Sequence, residues 1–170
     1  MKSRSAEFPI SIRLAEATDF ERIWEIFYRV IQSGDTYAYG PTTTKEQARE
    51  TWMGHGVRTY VALVGDRIEG TYILKPNQPG LGSHVANAAF MVDPLTKVKG
   101  VGTQMGQHAL TEAKSLGYQA MQFNFVISTN DRAVALWERL GFSIIGTSPK
   151  AYRHMRFGLV DAYIMHRFLE

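Results

Sequence analysis

The sequence predicts an α/β fold in which a mixed sheet carries helices on both faces, and three observations predict it. Short apolar runs bounded by glycine, proline or asparagine alternate with segments whose apolar residues recur at helical spacing. Their order, β-α-α-β-β-β-α-β-α-β-β, is typical of a mixed sheet covered by helices. The chain has 170 residues, 45% of them hydrophobic, and contains no repeat, linker or low-complexity tract. We therefore assign residues 1–170 to a single domain.

The first predicted elements are a strand and two helices. Residues 10–14 alternate apolar and polar side chains, as a short strand does. A stripe of apolar residues at helical spacing follows up to Gly34, and we interpret it as core packing rather than as the wall of a ligand site. A more polar helix then runs to about Met53. Each helix is predicted to begin with a capping box, formed by the pairs Thr18/Glu21 and Thr43/Glu46.

Strands dominate the rest of the chain, with two helices between them. A hairpin turn is predicted at residues 65–67, where a glycine follows the first of two apolar runs. Residues 148–158 hold several basic side chains and are predicted to be irregular. The remaining elements are strands over 59–64, 68–74 and 84–92, a helix from Gly100 to about Leu116, a strand over 120–127, a helix from residue 128 to Gly141, and strands over 142–146 and 160–168.

Composition excludes several classes of protein. The chain has no cysteine, which excludes disulfides, thiolate metal sites and a cysteine nucleophile. Its five histidines lack metal-ligand spacing, so we expect no metal. No apolar run approaches the ~20 residues of a membrane span, and residues 1–10 lack a signal-peptide core; we expect a cytoplasmic protein without a membrane partner. The net charge of +3 fits an anionic ligand, and the basic residues form no nucleic-acid-binding pattern, so we expect no nucleic acid.

Residues 90–103, FMVDPLTKVKGVGT, join the end of a strand to the start of a helix. Pro94 ends the strand because it has no N–H to donate. Gly100 and Gly102 leave the backbone of the first helical turn accessible, and this end of a helix attracts anions. The charged residues of the loop are Lys97 and Lys99. We predict a phosphate site; the alternative is a tight turn without a ligand.

The spacing of the glycines distinguishes between loops that bind phosphate. It does not match a P-loop, and Gly106 is one position too late for a dinucleotide fingerprint. Residues 97–102, KVKGVG, resemble the Gln/Arg-x-x-Gly-x-Gly/Ala pyrophosphate loop of the GNAT family of N-acetyltransferases, with lysine at the first position. Residues 130–142, NDRAVALWERLGF, resemble the Asn-x-x-Ala-x-x-Leu-Tyr-x-x-x-Gly-Phe signature of the same family. A capped amphipathic helix would explain the second segment alone, but not both segments in the family's order.

The resemblance extends over nearly the whole chain and implies the GNAT fold with acetyl-CoA as co-substrate. In that fold the strands at 84–92 and 120–127 splay apart, and the pantetheine arm lies between them like an added strand. Trp137 stands where many members have a tyrosine that protonates the leaving thiolate, which an indole cannot do. The implied cofactor-binding residues are Phe90, Met91, Val92, Lys97, Lys99, Gly100, Val101, Gly102, Thr103, Asn130, Ala133 and Trp137.

Two asparagines in the splayed strands, Asn87 and Asn124, are candidates for catalysis together with Asn130. Asparagine is depleted in strands and costs free energy when it is buried without partners. Each strand asparagine either bonds a nearby backbone group or acts on the reaction, one holding the acceptor and the other donating to the oxyanion. The base that accepts the amine proton is left open among Asp35, His84 and Glu50.

Residues 33–41 combine turn formers with Asp35, Tyr37 and Tyr39, and they form either a solvated linker or a lid over the site. We assign these three residues to the acceptor substrate. Residues 148–169 resemble a subgroup that acts on small amino or imino acids. The leading hypothesis is acetyl transfer to the amine of such a molecule, by direct attack in a ternary complex. The alternative is a catalytically silent acyl-CoA-binding or sensor domain. The identity of the acceptor and the oligomeric state, a homodimer included, are left open.

Overall fold

A seven-stranded sheet forms the centre of the fold in the computed structural model, which describes residues 9–170. Its strands are β1 (Ile10–Leu14), β2 (Arg58–Val64), β3 (Arg67–Pro76), β4 (Val85–Val92), β5 (Ala120–Ile127), β6 (Ser143–His154) and β7 (Gly158–Phe168). The helices are α1 (Phe20–Gln32), α2 (Lys45–Met53), α3 (Val101–Ser115) and α4 (Asp131–Arg139). The strand order is β1-β2-β3-β4-β5-β7-β6, and only β4 and β5 are parallel neighbours in the described sheet. The predicted mixed α/β fold and its element order are confirmed.

Hydrophobic clusters fill both faces of the sheet. The helices α1 and α2 cover one face, where Phe20 and Trp52 are fully buried. Trp52 Nε1 donates to Thr71 Oγ1 at 3.0 Å, so its polar atom is satisfied. The helices α3 and α4 cover the other face with Met105 and Trp137. Burying each such side chain contributes about 1.5–3 kcal/mol. None of the helices within residues 9–170 is long and apolar enough to cross a membrane.

The starts of the first two helices correct the predicted capping boxes. In α2 the capping box is formed by Thr44 and Gln47, one position after the predicted pair. Thr44 Oγ1 accepts a hydrogen bond from the Gln47 N–H at 3.2 Å, and Gln47 Oε1 accepts one from the Thr44 N–H at 2.9 Å. A 3₁₀ turn, Ala17–Asp19, precedes α1. The Asp19 carboxylate there accepts from the Glu16 N–H at 2.7 Å, so the box predicted for residues 18 and 21 is wrong.

The course of β6 corrects the prediction for residues 148–158. The strand continues to His154 and passes through a register shift around Lys150. Lys150 adopts φ 51°, and its N–H donates to Asp161 Oδ1 at 2.8 Å. A bulge breaks the period-two alternation of side chains, and β6 lies at an edge of the sheet. The sequence is therefore typical of an irregular segment, although the backbone is paired with β7 on both sides of the shift.

Candidate active site

The strands β4 and β5 separate after a short parallel ladder. Within residues 9–170 they pair only at Val85–Ala120 and Ala86–Met121. Beyond these pairs lies a cavity of about 310 Å³, lined by both strands, by α4 and by residues 36–39. Backbone groups at a strand edge without a neighbouring strand can bond to an extended ligand. The separation expected of this strand pair is therefore present.

A bulge in β5 lies beside the gap. The pairs Phe123–Met165 and Val126–Tyr163 join β5 to β7, so β5 holds one residue more than β7 between them. Asn124 lies inside this bulge, is exposed and lines the cavity. A bulged strand bends and re-aims its side chains, which explains why Asn124 is not buried as its position in an apolar strand suggests.

The N-terminus of α3 opens toward solvent without a side-chain cap. Gly100, its N-cap residue, adopts φ 86°, a conformation that favours glycine. A Cβ atom at Gly102 would lie 3.7 Å from Leu136 and Val92, in ordinary contact, so a small side chain fits there. The N–H groups of residues 101–103 belong to the first turn and have no acceptor within the helix. This end of α3 therefore presents unpaired donors and a positive dipole to an anion.

Asp93 anchors the segment between β4 and this helix. Its fully buried carboxylate accepts from the Leu95 N–H at 3.0 Å and forms ion pairs with Arg22 and, at 3.1 Å, Arg29 of α1. Burial alone would raise the pKa of Asp93, but the Leu95 N–H and the Arg22 guanidinium outweigh it and hold this pKa below its usual range. The loop that leads to the N-terminus of α3 is thus fixed at its start by charge-assisted hydrogen bonds.

The Tyr37 side chain reaches the gap from the segment that precedes α2. Its hydroxyl accepts from the Phe90 N–H at 2.9 Å and donates to the Phe90 carbonyl oxygen. The ring stacks on Tyr39 with centroids 5.9 Å apart, and Tyr152 Oη donates to the Tyr37 carbonyl oxygen at 3.1 Å. Burial raises the pKa of Tyr37, so the hydroxyl keeps its proton at neutral pH. Residues 36–39 form one wall of the cavity.

The two strand asparagines already have hydrogen-bond partners. Asn87 Nδ2 donates to the Gln122 carbonyl oxygen at 3.0 Å, across the gap. Asn124 Nδ2 donates to Asn77 Oδ1 at 2.7 Å, and Asn124 Oδ1 accepts from Gln122 Nε2 at 3.0 Å. Both ends of the Asn124 amide are thus occupied, whereas Asn87 Oδ1 has no partner among residues 9–170. Asn87 is the better placed of the two to accept a hydrogen bond from a ligand.

Trp137 forms a wall of the cavity and also belongs to the core. Its ring centroid lies 4.8 Å from that of Phe90 and 4.6 Å from that of Phe123. Beneath it, a Cβ atom at Gly106 would come within 2.5 Å of Leu140 Cδ1 and 3.2 Å of Trp137 Cζ3. The absent side chain at Gly106 lets α3 and α4 approach each other closely. The position of the missing tyrosine is therefore filled by a packed indole.

Asn130 caps α4, since its Oδ1 accepts from the Ala133 N–H at 3.2 Å. It also lines the cavity, as do seven other residues predicted for the site. The predicted residues that the structure brings together there are Tyr37, Tyr39, Asn87, Phe90, Asn124, Asn130, Ala133 and Trp137.

Among the candidates for binding the acceptor and for accepting its proton, three lie apart from that cavity. Asp35 borders a neighbouring cavity with His154 and Arg156, and its carboxylate accepts from the Ser33 hydroxyl. Glu50 and His84, two candidates for the base, are exposed and line neither cavity.

Sequence reasoning missed the aromatic side of the gap. Phe123 and Phe125 line the cavity, and Gln122 bonds to both strand asparagines. Phenylalanine in an apolar strand predicts core packing, and nothing in the sequence indicates the bulge that brings these residues to the gap.

The comparisons with known proteins agree on one family. The model of the acetyltransferase (GNAT) family matches residues 20–142. The solved structure of a GCN5-related N-acetyltransferase from Kribbella flavida is 42% identical and superposes with a TM-score of 0.88, over 94% of this chain and 97% of that chain.

Two further matches are partial or limited to the fold. The N-acetyltransferase aca1 of Schizosaccharomyces pombe is 40% identical over 96 residues, which are 56% of this chain and 46% of that relative, so the match spans less than half of its length. A GNAT superfamily phosphinothricin acetyltransferase from Sinorhizobium meliloti, solved in complex with acetyl-CoA, is 20% identical with a TM-score of 0.80, over 94% of this chain and 88% of that chain. Since the family model accounts for well over half of its length, this chain belongs to the GNAT acetyltransferase family.

Proposed function

We propose that this chain is an acetyl-CoA-dependent N-acetyltransferase that acts on the amine of a small molecule resembling an amino or imino acid. The observation that carries this proposal is the gap between β4 and β5, together with the uncapped N-terminus of α3. A ligand with phosphates at one end and amides along an extended arm matches the two features. The S. meliloti relative solved with acetyl-CoA supports the class of cofactor.

Different residues of the chain would bind the phosphates and the amide-bearing arm of such a ligand. The N–H groups of residues 101–103 would hold the pyrophosphate, with the exposed side chains of Lys97 and Lys99 beside them. The edge of β4 around Phe90 would bond to the amides of the arm. Leaving buried amides without partners costs about 1–3 kcal/mol each, so such an arm needs the strand edge. The α4 residues Ala133 and Trp137 would cover the other side of the arm.

The chemistry assigned to the site is direct attack of the amine on the acetyl group, with release of the thiol. The 170 residues contain no cysteine, which excludes an acetyl-cysteine enzyme, and no serine stands in a Gly-x-Ser-x-Gly elbow. The side-chain oxygen of Asn87, Oδ1, would accept a hydrogen bond from the amine and orient its lone pair. With Trp137 in place of a phenol, positioning and hydrogen-bond donors supply the catalysis rather than a protein acid.

The test is the release of CoA from acetyl-CoA in the presence of a panel of small amino and imino acids, with amines that lack a carboxylate for comparison. We expect release to depend on an amino or imino acid and the product to be its N-acetyl derivative. Binding of acetyl-CoA without release above spontaneous hydrolysis, for any amine tested, would identify a silent acyl-CoA-binding domain instead. The packed indole at Trp137 is the observation that favours this second candidate.

A further inference from the structure

The edge of β4 that faces the gap is defined by alternation along the strand. The Val85 carbonyl oxygen accepts from the Asn77 N–H at 2.8 Å, and the Asp93 N–H donates to the Glu69 carbonyl oxygen at 2.8 Å. Both bonds lie on the β3 side, and the register between β3 and β4 runs without a shift from Ala86 to Val92. Successive residues of a strand direct their N–H and C=O groups to opposite sides. Odd-numbered residues of β4, Met91 included, therefore bond toward β3, and even-numbered ones face the gap.

Three positions of this edge lie beyond the last pair with β5, namely Ala88, Phe90 and Val92. An extended ligand that pairs like a strand bonds to alternate residues, so a ligand with two amide groups in register with this edge would bond to two adjacent positions of these three. Phe90 is the middle position and belongs to either choice. Its N–H and its carbonyl oxygen are both engaged by the Tyr37 hydroxyl.

We propose that the Tyr37 hydroxyl occupies the hydrogen-bonding position at Phe90 that the amide-bearing arm of acyl-CoA takes when it binds, so that cofactor and Tyr37 exclude each other there. This inference rests on the proposed function, because it assumes that the gap receives that arm. An N–H group has one hydrogen to donate, and a ligand that bonds to the Phe90 N–H must first displace the hydroxyl.

Displacement of Tyr37 affects the segment that carries it. The Tyr37 carbonyl oxygen accepts from Tyr152 Oη at 3.1 Å, and the Gly34 carbonyl oxygen accepts from the Met155 N–H at 3.2 Å. The backbone of the segment is thus held by β6 and the turn after it, while the Tyr37 hydroxyl makes the only hydrogen bonds described within residues 9–170 between this segment and β4. Cofactor binding would release that side chain into the cavity where the acceptor enters, and acceptor binding would then follow cofactor binding.

The experiment compares acetyl-CoA affinity in Tyr37→Phe and in the wild-type protein by titration calorimetry. Phenylalanine keeps the ring and its stacking on Tyr39 but removes the competing hydroxyl. We expect binding to become about two- to tenfold tighter, as the loss of one competing hydrogen-bonded group predicts. The control is Tyr28→Phe, the same change at a tyrosine of α1 that is 47% exposed, which should leave the affinity unchanged.

Equal or weaker binding by folded Tyr37→Phe, in a wild-type background that binds acetyl-CoA, overturns this inference and leaves the proposed function intact. Absence of binding by the wild-type protein overturns both. A second measurement does not need the variant: nitration of Tyr37 in the wild-type protein, with and without acetyl-CoA, followed by peptide mass spectrometry. The Tyr37 ring should be nitrated faster when acetyl-CoA is bound, because its hydroxyl is then released from Phe90. Unchanged or slower nitration of Tyr37 contradicts the inference even if Tyr37→Phe fails to fold.

Discussion

A single charge at Gly102 tests the phosphate site at the start of α3. A Cβ atom there meets Leu136 and Val92 at 3.7 Å, an ordinary contact, so the first atom of a side chain fits at this position. In Gly102→Glu the carboxylate would lie beside the first-turn N–H groups. This favours the helix by about 0.3–1 kcal/mol through its dipole and opposes a bound phosphate. Protein stability and cofactor affinity should therefore change in opposite directions.

The expected loss of acetyl-CoA affinity follows from the distance between the carboxylate introduced by Gly102→Glu and a phosphate of the cofactor. Two unit charges roughly 5 Å apart repel by about 3 kcal/mol at an effective dielectric constant of ~20, which corresponds to about 100-fold in affinity. The matched control is Gly102→Gln, which has the same shape without the charge. We expect Gly102→Glu to bind acetyl-CoA about 100-fold more weakly than Gly102→Gln, with a melting temperature at least as high as that of Gly102→Gln.

Calorimetric titrations of the two variants at low and high salt provide the assay. The difference in acetyl-CoA affinity between the two variants should become smaller at high salt, because salt screens the repulsion. Equal affinity of the glutamate and glutamine variants would refute the assignment of this helix end as the phosphate site. Wild-type affinity in both variants would place the cofactor elsewhere in the molecule.

Three further predictions concern packing, catalysis and pH. In Gly106→Ala the new methyl group meets Leu140 and Trp137. The resulting overpacking should make this variant about 1–3 kcal/mol less stable than Gly102→Ala, the control in which the same helix gains the same propensity from a glycine-to-alanine change. Chemical denaturation of the two variants measures the difference in their free energies of unfolding. In Asn87→Ala, loss of the side-chain oxygen that orients the amine should lower kcat about 10²-fold and leave acetyl-CoA affinity unchanged. Asn124→Ala should retain more activity because its amide is committed to other side chains, and similar kcat values in the two variants would contradict this ranking. The lowered pKa of Asp93 stabilises the folded protein above about pH 4, and this contribution is lost as pH falls through the folded-state pKa. In Asp93→Asn, the free energy of unfolding should therefore decrease less steeply as the pH is lowered. Urea unfolding of both proteins from about pH 2 to 6 measures this.

The elements and the glycine loop were predictable because their signals are local. The strand β5 has the predicted bounds, and Asn130 caps α4 where the motif places it. The first residue of α2 was missed by one position because residues 42–44 are three threonines, each able to cap a helix. Only the surrounding packing selects Thr44 among them.

The remaining features of the site depend on contacts between distant parts of the chain. Tyr37 and Phe90 are 53 positions apart, and Asn77 and Asn124 are 47 positions apart. The β5 bulge is set by its pairing with β7, which no local pattern records. Composition suggested that residues 33–41 held either a linker or a lid, and tertiary structure alone places residues 36–39 against the gap.

The short ladder between β4 and β5 divides the sheet into two half-sheets, β1 to β4 and β5 to β7, that share few backbone hydrogen bonds. Side chains therefore supply most of their coupling, and one core cluster under α3 and α4 contains residues of both halves. At the seam itself, Phe90 of β4 meets Phe123 of β5 with centroids 6.0 Å apart, and Trp137 packs against both. Replacing these three rings with smaller side chains should weaken the cooperativity with which the two halves unfold.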